Sequence, residues 1–304
     1  MANYRDQWRS TIEKPFTTLS AGGDLKFKIS NQGNFSQGND IAAVGIQFYS
    51  DRVALFDYNT TQINLFGAFH KLLSTASNQY LSAGFHVGLA QRGVNYEDLD
   101  FGDEFDGVGS YNQPTAEILP ANSLAYADLA LGLHYSVTPA TNKGVYIGVA
   151  YHHWNKPNIS FFDNDPRTSD DFDRFDLDPK LTGHLALSFP LDRATAFQPR
   201  VIFISQGAAS STVIGSNFKY EFIDSDGVST HLGAWLRMTD NLTVYEPTDI
   251  ILSAGFEKNG LLIGLSYDIH LRQLSGSQFG QGTFELSISY IGEHENENQI
   301  CPDF

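Results

Sequence analysis

The sequence has no run of about 18 apolar residues, so a helical membrane span is excluded. Heptads and short tandem repeats are missing too, which removes coiled coils and solenoids. Cysteine is nearly absent. Cys301 stands alone, so neither an intrachain disulfide nor a cysteine-built zinc site can form. Cations are scarce, with 19 Lys and Arg against 35 Asp and Glu for a net charge of −16. That balance disfavours nucleic acid, whose phosphates require a basic face. No signal peptide opens the chain, because the text after Met1 is polar from its first residues. Given the strand pattern described next, a targeting segment removed from upstream is the expectation.

What is present is aromatic and small. Among 304 residues there are 23 Phe, 14 Tyr and 27 Gly, a composition that excludes intrinsic disorder. Period-two alternation is persistent. Leu261, Ile263, Leu265, Tyr267, Ile269 and Leu271 share one face, and Gly264, Ser266, Asp268, His270 and Arg272 share the other. Phe284, Leu286, Ile288 and Tyr290 alternate in the same way with Glu285, Ser287 and Ser289. Side chains flip face at every residue of a strand, so one face must be apolar and the other polar or small.

The pattern predicts fourteen strands, over 2–9, 16–29, 40–49, 60–71, 79–92, 123–137, 144–153, 180–190, 197–206, 210–222, 229–238, 248–257, 260–272 and 282–291. Their length suits a tilted strand crossing a bilayer better than a strand of a soluble sandwich. Short links such as 72–78, 138–143, 191–196, 223–228 and Lys258-Asn259 alternate with longer ones at 93–122, 154–178, 239–247 and 273–281, with 207–209 as an exception. The expected fold is therefore an all-β transmembrane antiparallel barrel with short periplasmic turns and longer extracellular loops. It occupies 1–291, and a polar tail, 292–304, is expected to project into the periplasm.

Candidate sites are few. His70, His86, His134, His152, His184, His231 and His270 fall in the inward phase of their strands, where hydrogen-bonded interior side chains are the expectation. Only His152 and His153 are adjacent, and neighbouring strand residues point to opposite faces. Two acidic stretches, 97–106 and 163–178, read as solvated extracellular loops that take part in recognition. Their like charges call for a basic partner or a cation. Asp163 and Asp165 form a weak calcium candidate, because their spacing resembles the start of a calcium loop whose Gly and final Glu are missing. No Gly-x-Ser-x-Gly elbow occurs, and no carboxylate pair is singled out for glycoside hydrolysis. No catalytic or cofactor-binding residue is therefore assigned.

Several blocks are family-specific in their order. Asn3-Tyr4-Arg5-Asp6-Gln7-Trp8 precedes Pro15-Phe16-Thr17-Thr18, and Leu81-Ser82-Ala83-Gly84-Phe85 leads through Gly88-Leu89-Ala90-Gln91 to Leu99-Asp100-Phe101-Gly102-Asp103. Gly264-Leu265-Ser266-Tyr267-Asp268, Leu274-Ser275 and Gly282-Thr283-Phe284-Glu285-Leu286-Ser287 follow, and the chain ends Cys301-Pro302-Asp303-Phe304. In this order they resemble the PorP/SprF family of type IX secretion outer-membrane proteins of Bacteroidota. Members usually carry a further segment ahead of the first block, which is missing here.

The resemblance implies a non-enzymatic outer-membrane barrel, with no motif to transfer residue by residue. It implies export or surface attachment of a secreted adhesin or surface protein through that protein's C-terminal (type B) domain. It also implies contact with the large translocon barrel and the periplasmic ring components. The rival reading is a passive porin or small-solute channel. Inward Phe66, Tyr146 and Trp235 favour a crowded lumen over an open pore.

Overall fold

Within hydrocarbon every backbone N–H and C=O must be paired inside the protein, so strands can span a membrane only as a closed sheet. The computed structural model meets that demand. It describes residues 1–8, 15–30, 39–53, 57–96, 99–117, 119–139, 143–162, 175–225, 227–240, 244–271 and 282–292. Fourteen strands follow one another around the barrel: β1 (Ala2–Gln7), β2 (Phe16–Ser30), β3 (Asn39–Val53), β4 (Tyr58–Ser74), β5 (Gln79–Gly93), β6 (Ser123–Val137), β7 (Gly144–His152), β8 (Lys180–Pro190), β9 (Thr195–Gln206), β10 (Ala209–Glu221), β11 (Val228–Asp240), β12 (Tyr245–Lys258), β13 (Leu261–His270) and β14 (Gly282–Tyr290). Each pairs antiparallel with its sequence neighbours, and β1 closes on β14 in a register running from Ala2 opposite Ile288 to Gln7 opposite Thr283.

The expected strands are all present, and most differences are at their ends. β3 continues to Val53 and β12 begins at Tyr245, beyond the alternating apolar core from which the sequence reading set the limits. Gly260 belongs to a turn and not to β13: Asn259 and Gly260 both have positive φ, 49° and 78°. That is the two-residue hairpin geometry Asn-Gly favours, because its twist matches the strands it joins.

Burial is inverted relative to a soluble protein. Leu65, Leu89, Leu131 and Leu133 point outward with 57%, 70%, 50% and 57% of their surface exposed. The buried set is polar, led by Asp128 at 1% and Ser136 at 2%. The buried apolar cluster is small. It consists of Ile41, Leu72 and Tyr80 on the inner wall of β3, β4 and β5, near the end of the barrel that carries Met1 and Tyr290. We call this the terminal end. Charges of the outward phase lie at strand ends, as where Lys71 Nζ donates to Asp40 Oδ2 at 2.8 Å and the Leu72 amide donates to Asp40 Oδ1 at 3.0 Å.

The two phases make different demands, and this can be tested. Arg in place of Leu265, outward on β13, should cost about 2–4 kcal/mol near the bilayer midplane. Ser266→Arg, one residue along and inward, should cost less. Urea unfolding from lipid vesicles measures both, and equal penalties would contradict a lipid-facing outer wall.

Candidate functional site in the barrel lumen

Polar side chains on alternate residues of fourteen strands converge on one interior, where their first requirement is to satisfy each other. In the half of the lumen away from the termini they do so in two networks. One centres on Asp128 of β6. His153 Nδ1 lies 2.7 Å from Asp128 Oδ1, and Gln62 Nε2 donates to Asp128 Oδ2 at 3.2 Å. His86 Nε2 is 3.7 Å from the same oxygen and donates to Asn64 Oδ1 at 3.0 Å. Gly88 makes room for this cluster, since a Cβ there would stand 2.3 Å from Asn64 Oδ1.

The second network spans β11 to β13. Arg237 Nη1 sits 3.2 Å from Asp249 Oδ2 and 2.8 Å from Asp268 Oδ2. Arg5 of β1 reaches Asp268 at 3.5 Å, and His270 Nδ1 lies 2.8 Å from Asp249 Oδ1. Toward the terminal end a third group gathers on Glu257, which accepts from Ser229 Oγ at 2.9 Å and lies 3.0 Å from His231 Nε2 and 3.1 Å from Lys219 Nζ. These are cross-strand pairs, so a charge in the inward phase of one strand finds its counter-charge one or two strands away.

The seven histidines expected inside are inside. His70 Nδ1 lies 2.7 Å from Ser82 Oγ, and His134 stacks on His184 with ring centres 5.4 Å apart. His153 requires a correction. Alternation assigns it to the face opposite His152, but it lies just past the end of β7 with φ of 58°. That left-handed residue turns its ring inward to Asp128, so both imidazoles end on one side, 6.2 Å apart. The carboxylate partners Asp128, Asp249, Glu257 and Asp268 were not singled out from the sequence. The usable signal was a charge in mid-strand on the inward phase.

The acidic loop after β5 is exposed, as expected, and its carboxylates also bond to their own loop. Asp106 Oδ1 accepts from the amides of Val108, Gly109 and Ser110 at 2.8, 2.9 and 3.0 Å. These donors hold the Asp106 carboxyl below the usual carboxylate range. Asp103 is lowered in the same way by the Ala116 amide. Glu104 folds back to accept from the Phe101 amide at 3.0 Å. These three acids therefore shape their own loop backbone. Asp163 and Asp165 lie outside the described residues, as do Glu97, Asp98 and Cys301. Among the described residues no three His, Cys, Asp or Glu side chains converge as metal ligands.

The model of one protein family, type IX secretion system membrane protein PorP/SprF, matches residues 1–290. The chain belongs to the PorP/SprF family. No individually curated protein matches it. The match spans all fourteen strands of this PorP/SprF barrel, from β1 to the closing β14.

Two results are expected from these contacts. Asp128→Ala leaves His153 and Gln62 without their acceptor and should lower unfolding stability by about 1–3 kcal/mol. Unchanged urea midpoints would show that the network is not structural. Asp106→Ala should speed hydrogen exchange at the amides of 108–110 with barrel amides unaffected. The depressed Asp106 pKa has a definite sign: its contribution is present above the unfolded value and lost as pH falls through the folded one.

Proposed function

We propose that this barrel lies in the outer membrane, with its terminal end in the periplasm. There it receives the C-terminal (type B) domain of a secreted adhesin or surface protein, and it assists that protein's export or retains it at the surface. It does this by binding and not by catalysis. The observation that carries the reading is the family match over 1–290, which places the chain in a secretion system. An even number of antiparallel strands supports the orientation, because both ends then emerge on one side, the periplasm in bacterial barrels.

The domain division we propose is a barrel over 1–291 and a tail over 292–304. The tail would meet the translocon barrel and ring components from the periplasmic side. On the far side, the loop between β5 and β6 offers a folded surface: Phe105 and Tyr111 pair as an isolated bridge with their rings 5.3 Å apart, and Asp106 fixes the turn between them. A preorganised loop loses less entropy on binding than a free one.

A second reading, a solute channel, is favoured by two lumen cavities of about 620 and 820 Å³. Two measurements separate the readings. Purification from native membranes should bring a large surface protein's C-terminal domain with the barrel. Planar-bilayer recordings should lack large, steady open-channel currents. Steady currents with no co-purifying domain would overturn the secretion reading in favour of the porin.

A further inference from the structure

The larger cavity, about 820 Å³ on the inner wall from β4 to β10, is lined by groups of one electrostatic character. Arg200 and Lys219 bring cations, His70, His134 and His184 bring imidazoles, and Ser136 and Tyr146 bring hydroxyls. Among the described residues no carboxylate lines it, in a chain with 35 acids. Elsewhere the lumen matches its cations, as Arg237 is matched by Asp249 and Asp268, and Lys219 is matched by Glu257 just outside this lining. Arg200 is exposed to the cavity and makes no ion pair with the described residues. Gly148 lets the two imidazoles stack, since a Cβ there would stand 2.3 Å from His184 Cε1.

The wall beside Arg200 holds it on the sheet. Ala186 pairs with Arg200 and Phe189 with Phe197 in one register, and the ladder lapses between them at 187–188 opposite 198–199 without shifting. Pro199 has no N–H to donate, yet it keeps its place opposite Ser216 of β10, so β9 stays in the sheet. Leu185, Ala186, Leu187 and Ser188 line the cavity from β8, and Gln198, Arg200 and Val201 line it from β9.

We propose that this cavity is a binding site for a phosphate group, with Arg200 as its principal donor and the hydroxyls completing the shell. A guanidinium presents paired N–H donors at the spacing of two phosphate oxygens. A lipid headgroup and free phosphate present the same oxygens to such a site, so the two sources are told apart by the test.

The test uses the whole purified barrel in detergent, with folding verified by heat-modifiable gel mobility. Inorganic phosphate is titrated by calorimetry. Dihexanoyl phosphatidylglycerol is scored by native mass spectrometry against a short-chain diacylglycerol that lacks phosphate. Binding of phosphatidylglycerol without inorganic phosphate identifies a lipid headgroup, and comparable binding of both identifies free phosphate; either result supports the site. Arg200→Gln should weaken the bound probe at least tenfold, whereas Arg92→Gln, at the other end of the lumen, should leave it unchanged. Absence of binding by both probes, or full binding to a folded Arg200→Gln barrel, would overturn the proposal.

Discussion

The backbone seam between β1 and β14 is the contact on which the rest of the molecule depends. β1 has only six residues, yet it must close both neighbouring edges, and it pairs along its whole length with β2 on one side and β14 on the other. The Trp8 amide extends the seam by donating to the Gly282 carbonyl at 3.1 Å, and the Gly22 amide extends the β1–β2 side by donating to the Met1 carbonyl at 2.9 Å. Without β1, β2 and β14 would each present a row of unpaired N–H and C=O groups to hydrocarbon, at several kcal/mol per group. Closure leaves the outer wall in lipid, so that wall must be apolar between the strand ends, and mid-strand polar side chains turn inward.

The polar interior then sets its own condition. Charges enclosed by a low-dielectric wall are costly unless paired. The Asp128 and Arg237 networks meet that cost by spreading each carboxylate over several donors. Glycine supplies the space: Gly88 and Gly148 lie beside the bulky polar groups of adjacent strands, where any Cβ would collide. The inward phase is therefore small and polar at once because large polar groups can be accommodated only beside residues that occupy almost nothing.

That coupling explains what was legible in the sequence. A period of two survives in every strand because one slipped residue would turn a whole face from lipid to lumen, so strand positions and the inward histidines could be read directly. Features that break the period could not. His153 changes face through its backbone angle, the bulge between Arg237 and Met238 shifts register inside β11 and β12, and Pro199 interrupts a ladder whose side chains still alternate. The Asp106 turn was hidden for another reason. An acidic run shows its charge in the text, whereas three amides pointing at one carboxylate depend on local backbone path. Partner identities in the lumen were equally out of reach, because Asp128 and Gln62 are 66 residues apart and meet only once the register is fixed.

The two halves of the lumen thus differ in what they leave available. Away from the termini, Asp128, Asp249 and Asp268 are engaged by Arg237, His153, His270 and Gln62, and such mutual pairing stiffens a wall more than it recognises a ligand. Toward the termini the two cavities share His70 on their linings, and Arg200 makes no ion pair with the described residues. At the other end, Asp103, Glu104 and Asp106 of the loop after β5 accept from their own loop backbone. A partner that approaches from the loop side meets shape and exposed aromatic surface at Phe105 and Tyr111. One that reaches the lumen from the terminal side meets the Arg200 cation. The two ends thus differ in chemistry, with aromatic surface on a loop at one and a cation inside the lumen toward the other.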